Sequence, residues 1–400
     1  MTNTSRALVL TAMLASLANC SPSAGPMGSA GALPTDCRPT TASAQICLRP
    51  SNVPAGTFGT GPSPRSLGGF SVEINGGFVD TANNRIVVGV SHGTDDARKV
   101  LVMGYDLTTG NRSVISGIFE DPSSGMTMRG TGPAVGFIKD IRLGPDGKYY
   151  ALNSPDSGDG ATVLRIDPAT GDRTLVWAGA DAMFGQCPSG LGNNPHIMPS
   201  PWSLEVEPTG SFLMGFGGSP AGSGLGVLRV SADGRTCTFV TLAGRANDSM
   251  SVGGGVTLMG SDIRGLFLHG GALYATHGLT ASLLRIDLAS GMRTRVASSA
   301  NQTSVGTGGT LGVGWVTYDA RRMSLLTTGQ FASNDTIVSW VDSTNGNRNV
   351  LEVAGPAYRG FQNGGGIWVR PSDGMILMAV DGVSIVAVDP ATGNSNIFSI

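Results

Sequence analysis

Four hundred residues, only 14% of them charged and with a net charge of −2, carry neither the basic footprint of a nucleic-acid binder nor the charge-rich, apolar-poor composition of a disordered chain. Glycine at 61 positions, 40% apolar residues and 6% aromatics point to many turns, few amphipathic helices and enough apolar surface for a sizeable core, which together suggest an all-β chain.

Taken in order, Met1–Arg6 is a short polar start with one positive charge. Ala7–Ala18 is an apolar run of 12 residues, too short to span a bilayer and of the length of a signal-peptide core. It ends in Leu17-Ala18-Asn19-Cys20. Ser21 to Ser66 is rich in Ser, Pro, Gly, Ala and Thr without periodicity, the composition of a flexible tether. The expected organisation is a leader over residues 1–19, a tether over 20–66 and one folded domain over 67–400. Cys37, Cys47, Cys187 and Cys237 remain besides Cys20. An even number in an oxidising compartment predicts disulfides, here Cys37–Cys47 and Cys187–Cys237. No cysteine or histidine spacing suggests zinc.

The folded part repeats. Val163–Ile166, Asp167-Pro168-Ala169-Thr170-Gly171 and Asp172–Val176 read as strand, tight turn and strand. Asp167 is placed to accept from the turn amides, and Gly171 must be left-handed to rejoin the ladder. Equivalent turns centre on Gly110, Gly234, Gly291, Gly346 and Gly393, at intervals of 47 to 63 residues. Each hairpin follows another, whose second strand is visible at Arg85–Val90, Lys148–Asn153, Ser211–Phe216, Ala272–His277, Met323–Thr328 and Met375–Val380. Six units of four meandering strands predict a six-bladed β-propeller of four-stranded antiparallel blades, six complete in sequence, so that no blade borrows a strand from the other terminus.

Two resemblances add to this. Leu17-Ala18-Asn19-Cys20 resembles the bacterial lipobox, with Asn19 where Gly, Ala or Ser is usual. It implies a lipid on Cys20 and a place in the cell envelope; the alternative is an ordinary secretory signal with an incidental Cys20, which would leave the protein secreted. Ile166-Asp167-Pro168-Ala169-Thr170-Gly171, with Gly144-Pro145-Asp146-Gly147 before it and the linker Gly130-Thr131-Gly132-Pro133-Ala134, resembles the six-bladed propellers of the NHL and SMP-30/gluconolactonase type. Such propellers serve many ends.

Candidate functional residues follow from the topology. The short hairpins share one face; the long connections, such as 91–99, 154–162, 178–201 and 242–261, share the other, which is the expected working face. His92 and His277 match in register at the ends of second strands, with Asn153, Thr328 and Asp381 in equivalent places. A polar residue there holds the next loop as readily as it does acid–base work or binds a metal. Near the channel, Asp140, Asp262 and Arg264 stand on inner strands. The SMP-30 resemblance implies a divalent cation at the channel mouth, with Asp140 or Asp262 in the Asp role and Glu73 as the Glu. A hard cation wants six or more oxygens, and the remaining ligands are not identifiable. Trp202, Trp315 and Trp368 occupy comparable inner-strand positions, as core packing or as a stacking wall. His196 lies on the longest connection. Neither a phosphate loop nor a nucleophile elbow occurs.

The reading that results is a lipid-anchored envelope propeller, monomeric and without a cofactor, that binds an envelope protein or a glycan, touches the membrane through its lipid alone and has no nucleic-acid partner. The alternative is a calcium-dependent lactonase.

Overall fold

The computed structural model of the protein describes residues 59–62, 72–92, 101–121, 125–154, 161–179, 201–217, 225–243, 252–256, 263–278, 281–299, 305–330, 336–353, 366–380, 384–393 and 395–399. They form six antiparallel sheets from strands β1–β5 (72–129), β6–β9 (137–178), β10–β13 (201–243), β14–β17 (263–298), β18–β21 (316–353) and β22–β25 (367–399). Every sheet is complete in sequence order, with no strand exchanged between the termini. The six blades therefore run in phase, as the repeat predicts. Blade one differs in one respect: an additional outer strand, β5 (Gly125–Arg129), pairs with β4 (Arg112–Asp121).

The turn chemistry explains the regularity. Gly110, Gly171, Gly234, Gly291, Gly346 and Gly393 all have φ between 68° and 82°, where a side chain would be strained. Asp167 Oδ1 accepts from the Ala169 amide at 2.9 Å, and Asp106 Oδ1 from Thr108 and Thr109 at 3.0 and 2.7 Å. These bonds to the charged form, with Lys148 beside Asp167, hold the turn carboxyls below their ordinary range.

A single twisted meander leaves both faces apolar, and blade-on-blade packing buries them. The buried side chains divide into six clusters, one per seam. Val87, Val102 and Ile115 of blade one pack on Ile138, Ile141 and Leu164 of blade two. The ring closes in the same way, with Ile74, Ile86 and Met103 of blade one against Trp368, Leu377 and Ile385 of blade six.

A polar clasp recurs at the rim. The outermost meander strand opens with Arg in blades one, two, four and five (Arg112, Arg173, Arg293, Arg348), with Cys237 in blade three and with Ser395 in blade six. Each of these arginines binds the segment leading into its own blade. Arg112 N–H donates to the Thr60 carbonyl, and its guanidinium to Gly61 and Pro62; Arg173 does the same to Thr131 and Pro133. Gly61 sits at φ 112°, and a methyl group on it would overlap the Arg112 backbone. Several of these arginines also cross the seam to a hydroxyl on the preceding blade: Arg173 to Ser116 at 2.8 Å, Arg112 to Ser399 at 3.1 Å, and Arg293 to Thr241. Residues 59–62, read from composition as tether, are thus part of the blade-one clasp. Cys237 is buried and disulfide-bonded, with its partner outside the described residues. Cys20, Cys37, Cys47 and Cys187 also lie outside them.

Candidate functional site

The long connections expected to form the working face, residues 93–100, 155–160, 180–200, 244–251 and 257–262, lie outside the described residues. So do Asp262, Asp381 and His196. What the structure does describe is the central channel, built from the six inner strands: β1 (Val72–Asp80), β6 (Phe137–Leu143), β10 (Pro201–Val206), β14 (Ile263–His269), β18 (Val316–Asp319) and β22 (Ile367–Val369).

Pairing with the second strands sets these six in register. Val79, Leu143, Val206, Leu268, Tyr318 and Val369 pair with Ile86, Tyr149, Phe212, Leu273, Leu325 and Ile376. One residue earlier, Phe78, Arg142, Glu205, Phe267, Thr317 and Trp368 form a ring that lines a cavity of about 330 Å³. The level above holds Gly76, Asp140, Ser203, Gly265, Trp315 and Gly366. The Trp315 indole from blade five fills the space left by these small neighbours. It reaches Gly76 of blade one and the Asp140 carboxylate of blade two, both of which a methyl group at Gly76 would overlap. Trp315 thus lines the cavity at this level, and the remaining lining residues extend toward the hairpin side. There Leu143 is exposed, and Val79, Tyr318 and Val369 are half-buried.

Arg142 is the hub of this channel. Its guanidinium donates to Asp140 Oδ1 at 2.7 Å, Glu205 Oε1 at 2.7 Å, the Gly77 carbonyl at 2.7 Å, the Ile141 carbonyl at 3.1 Å and the Leu266 carbonyl at 3.3 Å. One side chain therefore ties the inner strands of blades one, two, three and four. Asp140 is fully buried and accepts from the amides of Ile141 (2.8 Å) and Leu204 (2.9 Å). Glu205 accepts further from the Leu268 amide. Burial pushes the Asp140 carboxyl up to about 7 although Arg142 and the two amides oppose it, and burial moves Glu205 in the same direction. Burial alone would lower Arg142, but Asp140 and Glu205 outweigh it and raise it. Burial is the main cause for both carboxyls, and for Asp140 the nearby Glu205 adds a smaller push in the same direction.

The other sequence candidates are scattered. Arg264 is exposed and is not the partner of Asp140; Arg142 is. Counted back from the hairpin pairs Leu143–Tyr149 and Leu268–Leu273, Gly265, not Asp262, is level with Asp140. His277 is fully buried on β15 (Ala272–His277), opposite Ile263 and Ser282. His92 ends β2 (Arg85–His92), opposite Val72, and Glu73 pairs with Ser91 at the same end. Asn153 accepts from the Gly136 amide at 2.6 Å and donates to Thr162, and Thr328 accepts from the Trp315 amide, so both hold a neighbouring segment. Trp315 and Trp368 belong to seam cores, the packing alternative. Trp202 carries the Lys139 ammonium 4.3 Å from its ring centroid.

A divalent cation does not suit Asp140. Both its oxygens already accept N–H groups, from the Ile141 and Leu204 amides and from the Arg142 guanidinium, which leaves neither placed to bind a metal. Among the described residues no group of three or more His, Cys, Asp or Glu converges to hold a metal. Sequence reasoning missed Arg142 and Glu205. The signal was available in two opposite charges two apart, Asp140 and Arg142, which an alternating strand puts on the same face.

No family model and no curated protein matches the chain. Among solved structures it is similar to the periplasmic gluconolactonase of Pseudomonas aeruginosa (15% identity, 82% of this chain and 94% of that one, TM-score 0.43). It is similar also to virginiamycin B lyase from Staphylococcus aureus (12%, 82% and 84%, TM-score 0.45). A protein of unknown function from Bacteroides thetaiotaomicron is a third (13%, 82% and 74%, TM-score 0.49). Identities this low carry no activity across.

Proposed function

We propose that this propeller is a non-catalytic binding or scaffold module of the bacterial envelope, held by a lipid on Cys20 through the tether that follows. The observation that supports it most is the occupation of the buried Asp140–Arg142–Glu205 trio in clamping inner strands of four blades. An active site needs titratable groups converging on a place where a substrate atom can sit. Here the carboxylates point at backbone amides and at one guanidinium. The partner is an envelope protein or a glycan taken by the long-connection face.

The test is to assay purified protein for bound divalent metal and for hydrolysis of simple lactones with added Ca²⁺, Mg²⁺, Mn²⁺ or Zn²⁺. The binding reading expects no turnover above the buffer rate. Stoichiometric metal with metal-dependent turnover would establish the lactonase alternative instead. The anchor is tested separately by metabolic labelling with palmitate, which Cys20→Ala should abolish.

A further inference from the structure

We propose that the cup on the hairpin side of the channel binds a small organic cation, a primary or methylated ammonium group. This rests on the binding reading above but concerns the mouth opposite the long connections. The cup measures about 330 Å³, room for a small amine. Trp315 lines it at depth. Aromatic rings line it among aliphatic side chains: Phe78, Phe267 and Tyr318 are half-buried, and the half-buried His269 ring, not itself part of the lining, stacks on Tyr318 with centroids 3.8 Å apart. In a chain with 6% aromatics, this concentration of partly exposed rings at one mouth is a local feature, not the background. The negative faces of such rings attract an ammonium group within about 6 Å.

The polar wall agrees in sign. Arg142 directs its N–H groups to Asp140, Glu205, Gly77, Ile141 and Leu266, so it offers an incoming anion little. Glu205 accepts from Arg142 and Leu268, two of roughly four lone-pair sites on a carboxylate. The wall therefore has acceptors to spare and few donors. Two carboxyls to one guanidinium add no excess positive charge. A ligand that donates hydrogen bonds and carries positive charge meets both the rings and the spare acceptors. A carboxylate meets neither.

The experiment is a tryptophan-fluorescence and NMR titration of the full chain with tetramethylammonium and n-butylammonium. Isosteric neopentane-like alcohols and butyrate serve as controls. We expect saturable binding of the ammonium ions, about five- to tenfold weaker binding of the neutral isosteres, and none of butyrate. Tyr318→Leu should weaken ammonium binding about fivefold, while Tyr318→Phe, which keeps the ring, should retain it. If Tyr318→Leu does not fold, Phe267→Leu serves in its place. Equal binding of the neutral isosteres would show an apolar cavity only and overturn the proposal, as would preferential binding of butyrate or no saturation with any probe. Lactone hydrolysis would overturn the binding reading while leaving this titration intact, so the two failures are distinguishable.

Discussion

The Ser399 hydroxyl donates to the Gly110 carbonyl at 2.8 Å, joining the last strand of blade six to the first blade's outer hairpin across 289 residues of chain. Arg112 completes the contact from the other side, donating to Ser399 Oγ at 3.1 Å while holding Gly61 and Pro62. Many closed rings exchange a strand at this point. Here closure rests on the seam core and on a clasp of a few hydrogen bonds.

The clasp makes truncation position-sensitive. Removal of residues 1–58 should leave the denaturation midpoint of the propeller unchanged, while removal of residues 1–62 should lower stability by about 1–3 kcal/mol. Arg112→Ala should cost a similar amount, because it strands the carbonyls the guanidinium satisfies. Equal midpoints for the two truncations in urea would show that the clasp contributes nothing.

Arg142 is the most consequential single side chain in the channel. Arg142→Met leaves Asp140 and Glu205 buried without their cation, and a loss of about 3–5 kcal/mol is expected. Asp140→Asn should be milder, about 1–3 kcal/mol, because an amide N–H in place of Oδ2 would face the Leu204 amide donor to donor. Chemical denaturation of the two variants should rank them in that order.

The trio also sets a pH dependence. Asp140 has a folded-state value raised from 3.8 to about 7. Between those two values the folded protein holds a proton that the unfolded chain has lost. The contribution is therefore fully present below about 4 and is lost as pH rises toward 7, with a slope of at most about 1.4 kcal/mol per unit. The turn aspartates, including Asp106, Asp167 and Asp287, are shifted downward and act with the opposite sign, at lower pH. Stability measured from pH 5 to 8 should fall less steeply in Asp140→Asn than in the unsubstituted protein. Parallel curves would exclude Asp140 as the titrating group.

The repeat was legible because a hairpin must spell its turn locally. Asp167 and Gly171 each do one backbone job; the glycine recurs in all six blades and the aspartate in five, with Ser231 in its place in blade three. The second strands read from turn spacing fall within two residues of those observed, as with Ala272–His277. The channel was less legible because its residues come from six separate strands and none repeats. Arg142 meets Glu205 only once two inner strands are laid side by side. Bulges then shift the alignment, between Ile138 and Asp140 and again between Ile263 and Leu266. Counted back from the first hairpin of each blade, Gly265 is the residue level with Asp140, and Asp262 lies three residues further from the turn.

Blade three shows what replaces the clasp when its arginine is absent. Cys237 stands at the position of Arg112 and Arg173, and Trp177 at that of Ser116, so both members of the polar pair are exchanged together. The two pack in one apolar cluster. Cys187 lies on the connection leading into blade three, the segment that elsewhere docks on the arginine. A Cys187–Cys237 disulfide would be the covalent counterpart of the clasp and contribute roughly 2–4 kcal/mol. Peptide mapping without reduction should recover the two residues in one linked fragment. Recovery of Cys237 linked to Cys37 or Cys47 would reject the pairing.

Trp315 makes one ring common to three blades. The indole of blade five reaches Gly76 of blade one and the Asp140 carboxylate of blade two, so a change of its rotamer would alter the packing against two inner strands at once. The same residue lines the cavity below. The shape of that cavity and the seating of β1 and β6 are therefore tied to the orientation of a single side chain.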